Sequence, residues 1–196
     1  QLLDALEQRG RELAATWKYE RPKVASRGTE ERFAPIEAKW VRMVIHALSS
    51  DYQSREQPRG GNGQLTEFQV WSAEDPTRNV ALSNLGARAT GPAAVIPEDF
   101  PNAYGAQHCI DGALGEAWFI GWPAILTIEL AEPTLINKIV FFNARGGNEV
   151  DDSRVRGATP CEYTIEISND GVQWQSVASD AGREPWSPGH VLARSM

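Results

Sequence analysis

The sequence predicts an antiparallel all-β domain preceded by one N-terminal α-helix. Short apolar runs with a period of two residues recur after about residue 30, and Gly, Pro, Asn and Asp bound them, which is typical of a β-sandwich or barrel. The chain has 196 residues, of which 41% are hydrophobic, so it can bury one sizeable core. We expect residues 1–27 to form a helix and linker, and residues 28–196 to form the sandwich.

The predicted helix occupies the start of the chain. Its apolar stripe recurs at alternating spacings of three and four, at Leu3, Leu6, Gly10, Leu13 and Trp17. Such spacing places the stripe on one helical face. Gly10 costs about 1 kcal/mol relative to Ala, so we expect the stripe to need a packing partner. Pro22 ends the helix because proline lacks an amide donor.

Seven runs have the composition and the period of β-strands. They cover residues 38–47, 65–72, 86–90, 124–130, 135–143, 161–168 and 173–178. In the sixth run, Tyr163, Ile165 and Ile167 alternate with polar residues, which indicates one buried face. Asp170 and Gly171 follow, and because Gly supplies a positive φ, they predict a hairpin with a two-residue turn.

Three segments, 49–63, 91–109 and 144–160, lack strand character. Loops of this length in a compact domain are either disordered or functional. We expect the last two to be functional.

The charge distribution limits the partners of this chain. Its formal charge is −7, and residues 1–48 hold nine Lys and Arg against seven Asp and Glu, so the remainder carries −9. An acidic surface repels phosphate backbones, so nucleic acid is not an expected partner. No apolar run reaches the roughly 20 residues that span a bilayer, and we expect no membrane span. The start at Gln1, without Met or a signal peptide, suggests a processed or excerpted chain.

The two cysteines, Cys109 and Cys161, lie in runs with core character. We interpret them as small buried hydrophobic residues. The sequence leaves open whether they form a disulfide, because nothing in it fixes the distance between them.

Four segments carry a family resemblance: Ala106–Trp118, Ala124–Pro133, Ile136–Val140 and Tyr163–Trp174. In this order they resemble successive strands of discoidin domains, also called coagulation factor V/VIII type C domains. The resemblance implies a galactose-binding-like fold, an antiparallel jelly-roll β-sandwich. The family's closing strands are similar to Phe33–Met43 and Glu67–Val70, which here come first. The chain therefore looks circularly permuted, in an order that also resembles discoidin-like domains of planctomycete-type multidomain proteins.

Discoidin domains usually bind glycans, phospholipid headgroups or proteins through loops at one end of the sandwich, without catalysis. The resemblance thus implies a non-catalytic module that binds a glycan or another cell-surface ligand. It also implies an extracellular, periplasmic or cell-surface location within a larger protein. No nucleophile elbow, phosphate loop or His-Glu-x-x-His motif occurs in the sequence. The alternative is a structural interaction domain packed against other domains of the parent protein.

The resemblance further implies a structural Ca²⁺, held in many relatives by the Asp-Gly loop and a closing-strand Glu through oxygen ligands. The ligands would be the side chains of Asp111, Glu67 and Glu116 and the backbone carbonyls of His108, Ala113 and Thr66. Two positions depart from the family: Ala113 replaces Asp or Asn, and Glu116 replaces Thr. The alternative is that Asp111 caps its own loop and that Glu67 pairs with an arginine such as Arg42.

Candidate ligand-binding residues lie in the irregular segments. Aromatic faces stack on sugar rings, and among the seven tryptophans we expect most to be core, with Trp122 and Trp186 better candidates for exposure. The expected aromatic ligands are Phe100, Tyr104 and Trp122. Polar ligands are expected at Arg145, Asn148, Arg154 and Arg156, which can bind hydroxyls, a carboxylate or a sulfate. The alternative for residues 145–156 is a solvated loop whose charges neutralise one another.

Overall fold

The computed structural model describes residues 20–49, 63–94, 103–144 and 159–185. They form eight strands: β1 Thr29–Leu48, β2 Gln64–Leu65, β3 Glu67–Ser72, β4 Arg88–Thr90, β5 Trp118–Phe119, β6 Ile125–Phe142, β7 Pro160–Ser168 and β8 Gln175–Ser179. The 3-10 helices Ser83–Leu85 and Ala106–Ile110 lie between these strands. All strand pairings are antiparallel, which confirms the all-β class. The predicted N-terminal helix lies outside the described residues.

The main sheet has the order β3-β6-β1-β7-β8, and β4 also pairs with β6. The two long strands, β1 and β6, pair along most of their length, from Thr29 opposite Phe141 to Val44 opposite Ile125. β3 flanks the second part of β6, whereas β4 flanks its first part. β7 flanks the second part of β1. β2 and β5 form a separate small ladder.

β1 bends between its two parts. Its register against β6 shifts between Arg32 and Ile36 and again between Ala38 and Trp40, and such bulges let a strand pass from one layer to another. As a result Tyr163, which pairs with Ile45 in the second part of β1, donates a hydrogen bond to Glu31 in the first part. The arrangement is consistent with a β-sandwich.

The core lies between these parts and is rich in aromatic residues. Phe141 stacks on Phe68 with ring centroids 6.5 Å apart and meets Tyr163 edge-on at 5.1 Å. All three side chains are buried. Aromatic pairs add about 0.5–1.5 kcal/mol each beyond the burial of their area. Trp118 is also buried, and its indole nitrogen donates to the carbonyl of Pro92 at 2.8 Å.

Two predicted strand boundaries are wrong. Runs 124–130 and 135–143 form the single strand β6, and the run predicted at 38–47 begins at Thr29. Each of these long strands contains a proline, Pro35 in β1 and Pro133 in β6. Both prolines lie where the β1–β6 register is irregular, so neither removes a ladder hydrogen bond. The two-residue strand β5 was not predicted, because so short a run has no measurable period.

The predicted β7–β8 hairpin is present, with Tyr163, Ile165 and Ile167 buried as expected. The predicted two-residue turn is wrong, because six residues separate Ser168 from Gln175. Side chains stabilise this wider loop. Oδ1 of Asp170 accepts the backbone N–H groups of residues 172 and 173 at 2.8 Å each, and Oγ of Ser168 accepts that of residue 171 at 2.9 Å.

Candidate functional site

Glu67, the first residue of β3, has a buried carboxyl group to which one donor among the described residues bonds. It is 1% exposed, and its Oε2 accepts the backbone N–H of Gly112 at 3.3 Å. Its Oε1 has no partner among the described residues. Burial raises the pKa of Glu67 to about 8, the Gly112 N–H opposes that rise, and the charge of Asp111 adds to it. The structure therefore brings Glu67 next to the loop that contains Asp111.

Asp111 follows the 3-10 helix Ala106–Ile110. Its Oδ1 accepts the N–H of Ala113 at 2.8 Å, and its Oδ2 lies 3.5 Å from Nδ1 of His108. The capping hydrogen bond that was the alternative to a metal ligand is thus present. Arg42, the arginine named in the other part of that alternative, pairs with Glu166 rather than with Glu67. Arg42 and Glu166 are opposite one another in the β1–β7 register.

The remaining predicted metal ligands lie around this loop. Thr66 is buried and its hydroxyl donates to the carbonyl of Ala144 at 3.3 Å, whereas Ala113 and Glu116 are exposed. Within the described ranges, no three His, Cys, Asp or Glu side chains are grouped to hold a metal ion. The unpartnered oxygen of Glu67 beside a second carboxylate does suit a hard cation. Backbone carbonyls would have to supply most of its other ligands.

Both cysteines are free and buried, as the hydrophobic interpretation expects, so they form no bridge. Sγ of Cys109 donates to the carbonyl of Leu65 at 3.6 Å, and Sγ of Cys161 donates to that of Thr159 at 3.3 Å. Burial raises the pKa of the Cys109 thiol, and the nearby charge of Glu67 raises it further. The Cys109 thiol is therefore not an activated nucleophile.

A second candidate feature, which we call the aromatic surface, comprises the half-buried pair Tyr104 and Phe119 and the exposed Trp122. The rings of Tyr104 and Phe119 stack with centroids 4.3 Å apart and an interplanar angle of 18°. Trp122 follows three residues later and is 51% exposed. Sequence reasoning identified Tyr104 and Trp122 but missed Phe119. The sequence could have indicated Phe119, because successive residues of a strand face opposite sides and its neighbour Trp118 is buried.

Backbone hydrogen bonds join the segment 119–121, next to these aromatic residues, to two other segments of the chain. The N–H of Ile120 donates to Gly63 and that of Gly121 to Pro92, each at 2.8 Å, and the N–H of Ala94 donates to Phe119 at 3.0 Å. A Cβ on Gly121 would lie 2.9 Å from backbone atoms of the 92–93 segment, so only glycine fits this close approach. The exposed Trp122 therefore follows a segment whose backbone is held in place.

Several predicted ligand-binding residues cannot be placed. Those outside the described residues are Phe100, Arg145, Asn148, Arg154 and Arg156. Trp186, which was expected to be exposed, also lies outside them. Of the predicted set, the structure brings Glu67 together with the loop that contains Asp111, and it joins Tyr104 to Phe119, three residues before Trp122.

In the part of the chain that the structure describes, no helix is long and apolar enough to cross a membrane. Comparison of the chain with models of known protein families, with curated proteins and with solved structures finds no match.

Proposed function

We propose that the chain is a non-catalytic carbohydrate-binding module and that it binds glycans through the aromatic surface. The observation that carries this proposal is the exposure of Trp122, 51% of whose surface meets solvent on a segment held by short backbone hydrogen bonds. A large aromatic side chain that is exposed on a rigid backbone is a common feature of binding surfaces. Sugar C–H faces stack on such rings.

The rigid support bears directly on affinity. A ring that is already fixed in the free protein loses little conformational freedom when a ligand stacks on it. Tyr104 is held by its stack on Phe119 at 4.3 Å, so its hydroxyl is presented in a limited range of positions. A hydroxyl can both donate to and accept from sugar hydroxyls.

The proposal extends to the fold and the location of the module. The discoidin resemblance and the antiparallel strand order support a galactose-binding-like jelly roll with exchanged ends. In such a domain the early closing-strand glutamate must approach the later Asp-Gly loop, and the Gly112 N–H contact with Glu67 at 3.3 Å supports that pairing. Domains of this kind act within larger secreted, periplasmic or cell-surface proteins, and we propose the same setting here.

We also propose that a structural Ca²⁺ binds between Glu67 and Asp111. The support is the buried Oε1 of Glu67, which has no partner among the described residues, and the second carboxylate close by. Glu116 and the carbonyls of His108, Ala113 and Thr66 would complete the ligand set. The ion would supply positive charge to a carboxylate that burial otherwise holds in its protonated form.

The glycan proposal is tested by affinity gel electrophoresis of the full chain in gels that contain neutral or acidic polysaccharides. We expect at least one polysaccharide to retard the wild type, and Trp122→Ala and Tyr104→Ala to abolish the retardation. Leu85→Ala is the control, because Leu85 is 43% exposed but lies on the 3-10 helix 83–85. If both aromatic variants are still retarded, the aromatic surface is not the glycan-binding site. A wild type that no polysaccharide retards would favour the interaction domain.

A further inference from the structure

A separate groove lies at the β7–β8 hairpin, which we call the hairpin groove. It is open to solvent, has a volume of about 440 Å³ and is lined by Ile36, Glu37, Ile167, Gln173, Trp174 and Gln175, together with the turn residues 168–170. The volume lies within the range of small-molecule sites, roughly 300–1,000 Å³.

The hairpin groove and the aromatic surface flank opposite ends of the second part of β1. Ser168, at the groove, pairs with Trp40, whereas the N–H of Ile45 donates to Ala124, next to the aromatic surface. Five residues of strand separate the two positions, or about 17 Å. One small ligand cannot bridge them.

Trp174 gives the groove a fixed aromatic wall. The guanidinium carbon of Arg42 lies 4.0 Å from the ring centroid of Trp174, a favourable cation–π distance. Arg42 is itself held by its ion pair with Glu166. The ring is half-buried and anchored on one face, so the part that lines the groove keeps a defined position.

The turn that borders the groove is also preformed. Oδ1 of Asn169 accepts the backbone N–H of Lys39 at 3.1 Å, which ties the hairpin to β1. Asp170 and Ser168 accept the turn's own N–H groups, and the hydroxyl of Ser168 donates to Oδ1 of Asp170 at 2.9 Å. These bonds fix the groove before any ligand arrives, which limits the entropy lost on binding.

The polar residues that line the groove favour a ligand that carries hydroxyl groups and no negative charge. Gln173 and Gln175 are exposed amides that both donate and accept, and Glu37 is an exposed carboxylate that accepts. Among the described residues that line the groove, Glu37 and Asp170 are carboxylates and none is cationic. The guanidinium of Arg42, which contacts the Trp174 ring, is neutralised by Glu166. The ammonium group of nearby Lys39 donates instead to the carbonyl of residue 131 at 3.1 Å and pairs with residue 129. Such a groove repels carboxylates and sulfates.

We propose that the hairpin groove binds a single neutral hexopyranose residue. The ring of Trp174 packs on the C–H groups of the sugar, Glu37 accepts hydrogen bonds from its hydroxyls, and Gln173 and Gln175 exchange further hydrogen bonds with it. This site is separate from the aromatic surface and does not depend on the function proposed for that surface.

The test is a ¹H–¹⁵N NMR titration of the full chain with methyl β-D-glucopyranoside, methyl β-D-galactopyranoside and methyl α-D-mannopyranoside, with D-glucuronate as the charged comparison. At least one neutral sugar should shift the Trp174 indole signal and the amide signals of Gln173 and Gln175 in a saturable way. Glucuronate should bind at least about tenfold more weakly.

Glu37→Lys should weaken the neutral sugar by about tenfold or more. Its matched control is Glu162→Lys, which makes the same charge change on an exposed residue at the far end of β7 and should leave the affinity unchanged. Gln173→Ala provides a second variant if Glu37→Lys lowers the melting temperature.

Saturable shifts confined to Phe119 and Trp122 would overturn this site while supporting the aromatic surface. Shifts at Trp174 that persist in Trp122→Ala would support the groove whatever the outcome of the gel experiments. The absence of saturable shifts with every neutral sugar, or equal affinity in wild type and Glu37→Lys, would overturn the proposal.

Discussion

Arg183 donates to a single carboxylate oxygen, Oε1 of Glu31, from two of its nitrogens, Nη2 at 2.8 Å and Nε at 3.0 Å. Both side chains are buried, at 8% and 1% exposure. Nε of Arg183 also donates to the hydroxyl of Tyr163 at 2.9 Å, and Nη1 donates to the carbonyl of Pro22 at 2.8 Å. Arg21 pairs with the other oxygen of Glu31. The segment before β1, β1 itself, β7 and the segment after β8 therefore meet at one carboxylate.

Removal of one partner from this buried pair should be strongly destabilising. We expect Arg183→Met to lower the free energy of unfolding by about 3 kcal/mol, the low end for breaking a buried pair, because Glu31 then loses Arg183 but keeps Arg21 and the Tyr163 hydroxyl. The double variant Glu31→Leu, Arg183→Met should lose less than the sum of the two single variants. Urea unfolding followed by circular dichroism measures these values.

Arg32→Met is the control for these variants of the buried pair. Arg32 pairs with Glu30 on the surface, where the side chains are 67% and 46% exposed. Exposed pairs contribute about 0–1 kcal/mol, so this variant should stay close to wild type. A loss for Arg183→Met no larger than that for Arg32→Met would contradict the central role of the buried pair.

The sequence predicts those parts of the fold in which local pattern and tertiary packing agree. The alternation of Tyr163, Ile165 and Ile167 matches their burial, because a half-buried strand has a period of two. The cross-strand pairing of Arg42 with Glu166 was not predictable in this way. Register depends on how two distant segments align, and a shift of one residue changes every partner.

The same distinction between local pattern and long-range pairing applies to the candidate sites. Glu67 and Asp111 were selected from a family resemblance, and the contact through Gly112 brings them together. The groove around Trp174 was missed, because its walls come from β1 and from a hairpin more than 130 residues later. Trp174 was among the tryptophans expected to be core, and a pattern within one strand could not reveal its contact with Arg42.

Glu67 should make stability depend on pH when calcium is absent. Its pKa rises from 4.5 to about 8 on folding, so the folded state holds a proton that the unfolded state has lost. The contribution is therefore fully present below pH 4.5 and is lost as pH rises through about 8. The slope is at most about 1.4 kcal/mol per pH unit. Thermal melts between pH 5 and 8 with a chelator should show this decline, and Glu67→Gln should flatten it.

Added Ca²⁺ should oppose that decline if it binds at Glu67. An ion that binds only the folded state raises the melting temperature by mass action, and the rise should be largest near pH 8, where the proton competes least. Glu132→Gln, a change at an exposed carboxylate, serves as the control and should behave as wild type does. An equal response to Ca²⁺ in wild type and Glu67→Gln would contradict the ion site.

The two thiols should differ in their accessibility to a reagent such as Ellman's reagent. Cys109 is 0% exposed, and its pKa is raised by burial and by the charge of Glu67, whereas Cys161 is 8% exposed. Because only the thiolate reacts, Cys109 should be labelled at the rate of opening of the fold, and Cys161 should be labelled no more slowly. The variants Cys161→Ala and Cys109→Ala isolate each rate, and both thiols should react at once in denaturant. Rapid labelling of Cys109 in the folded protein would mean that the core beside Glu67 opens far more easily than its packing indicates.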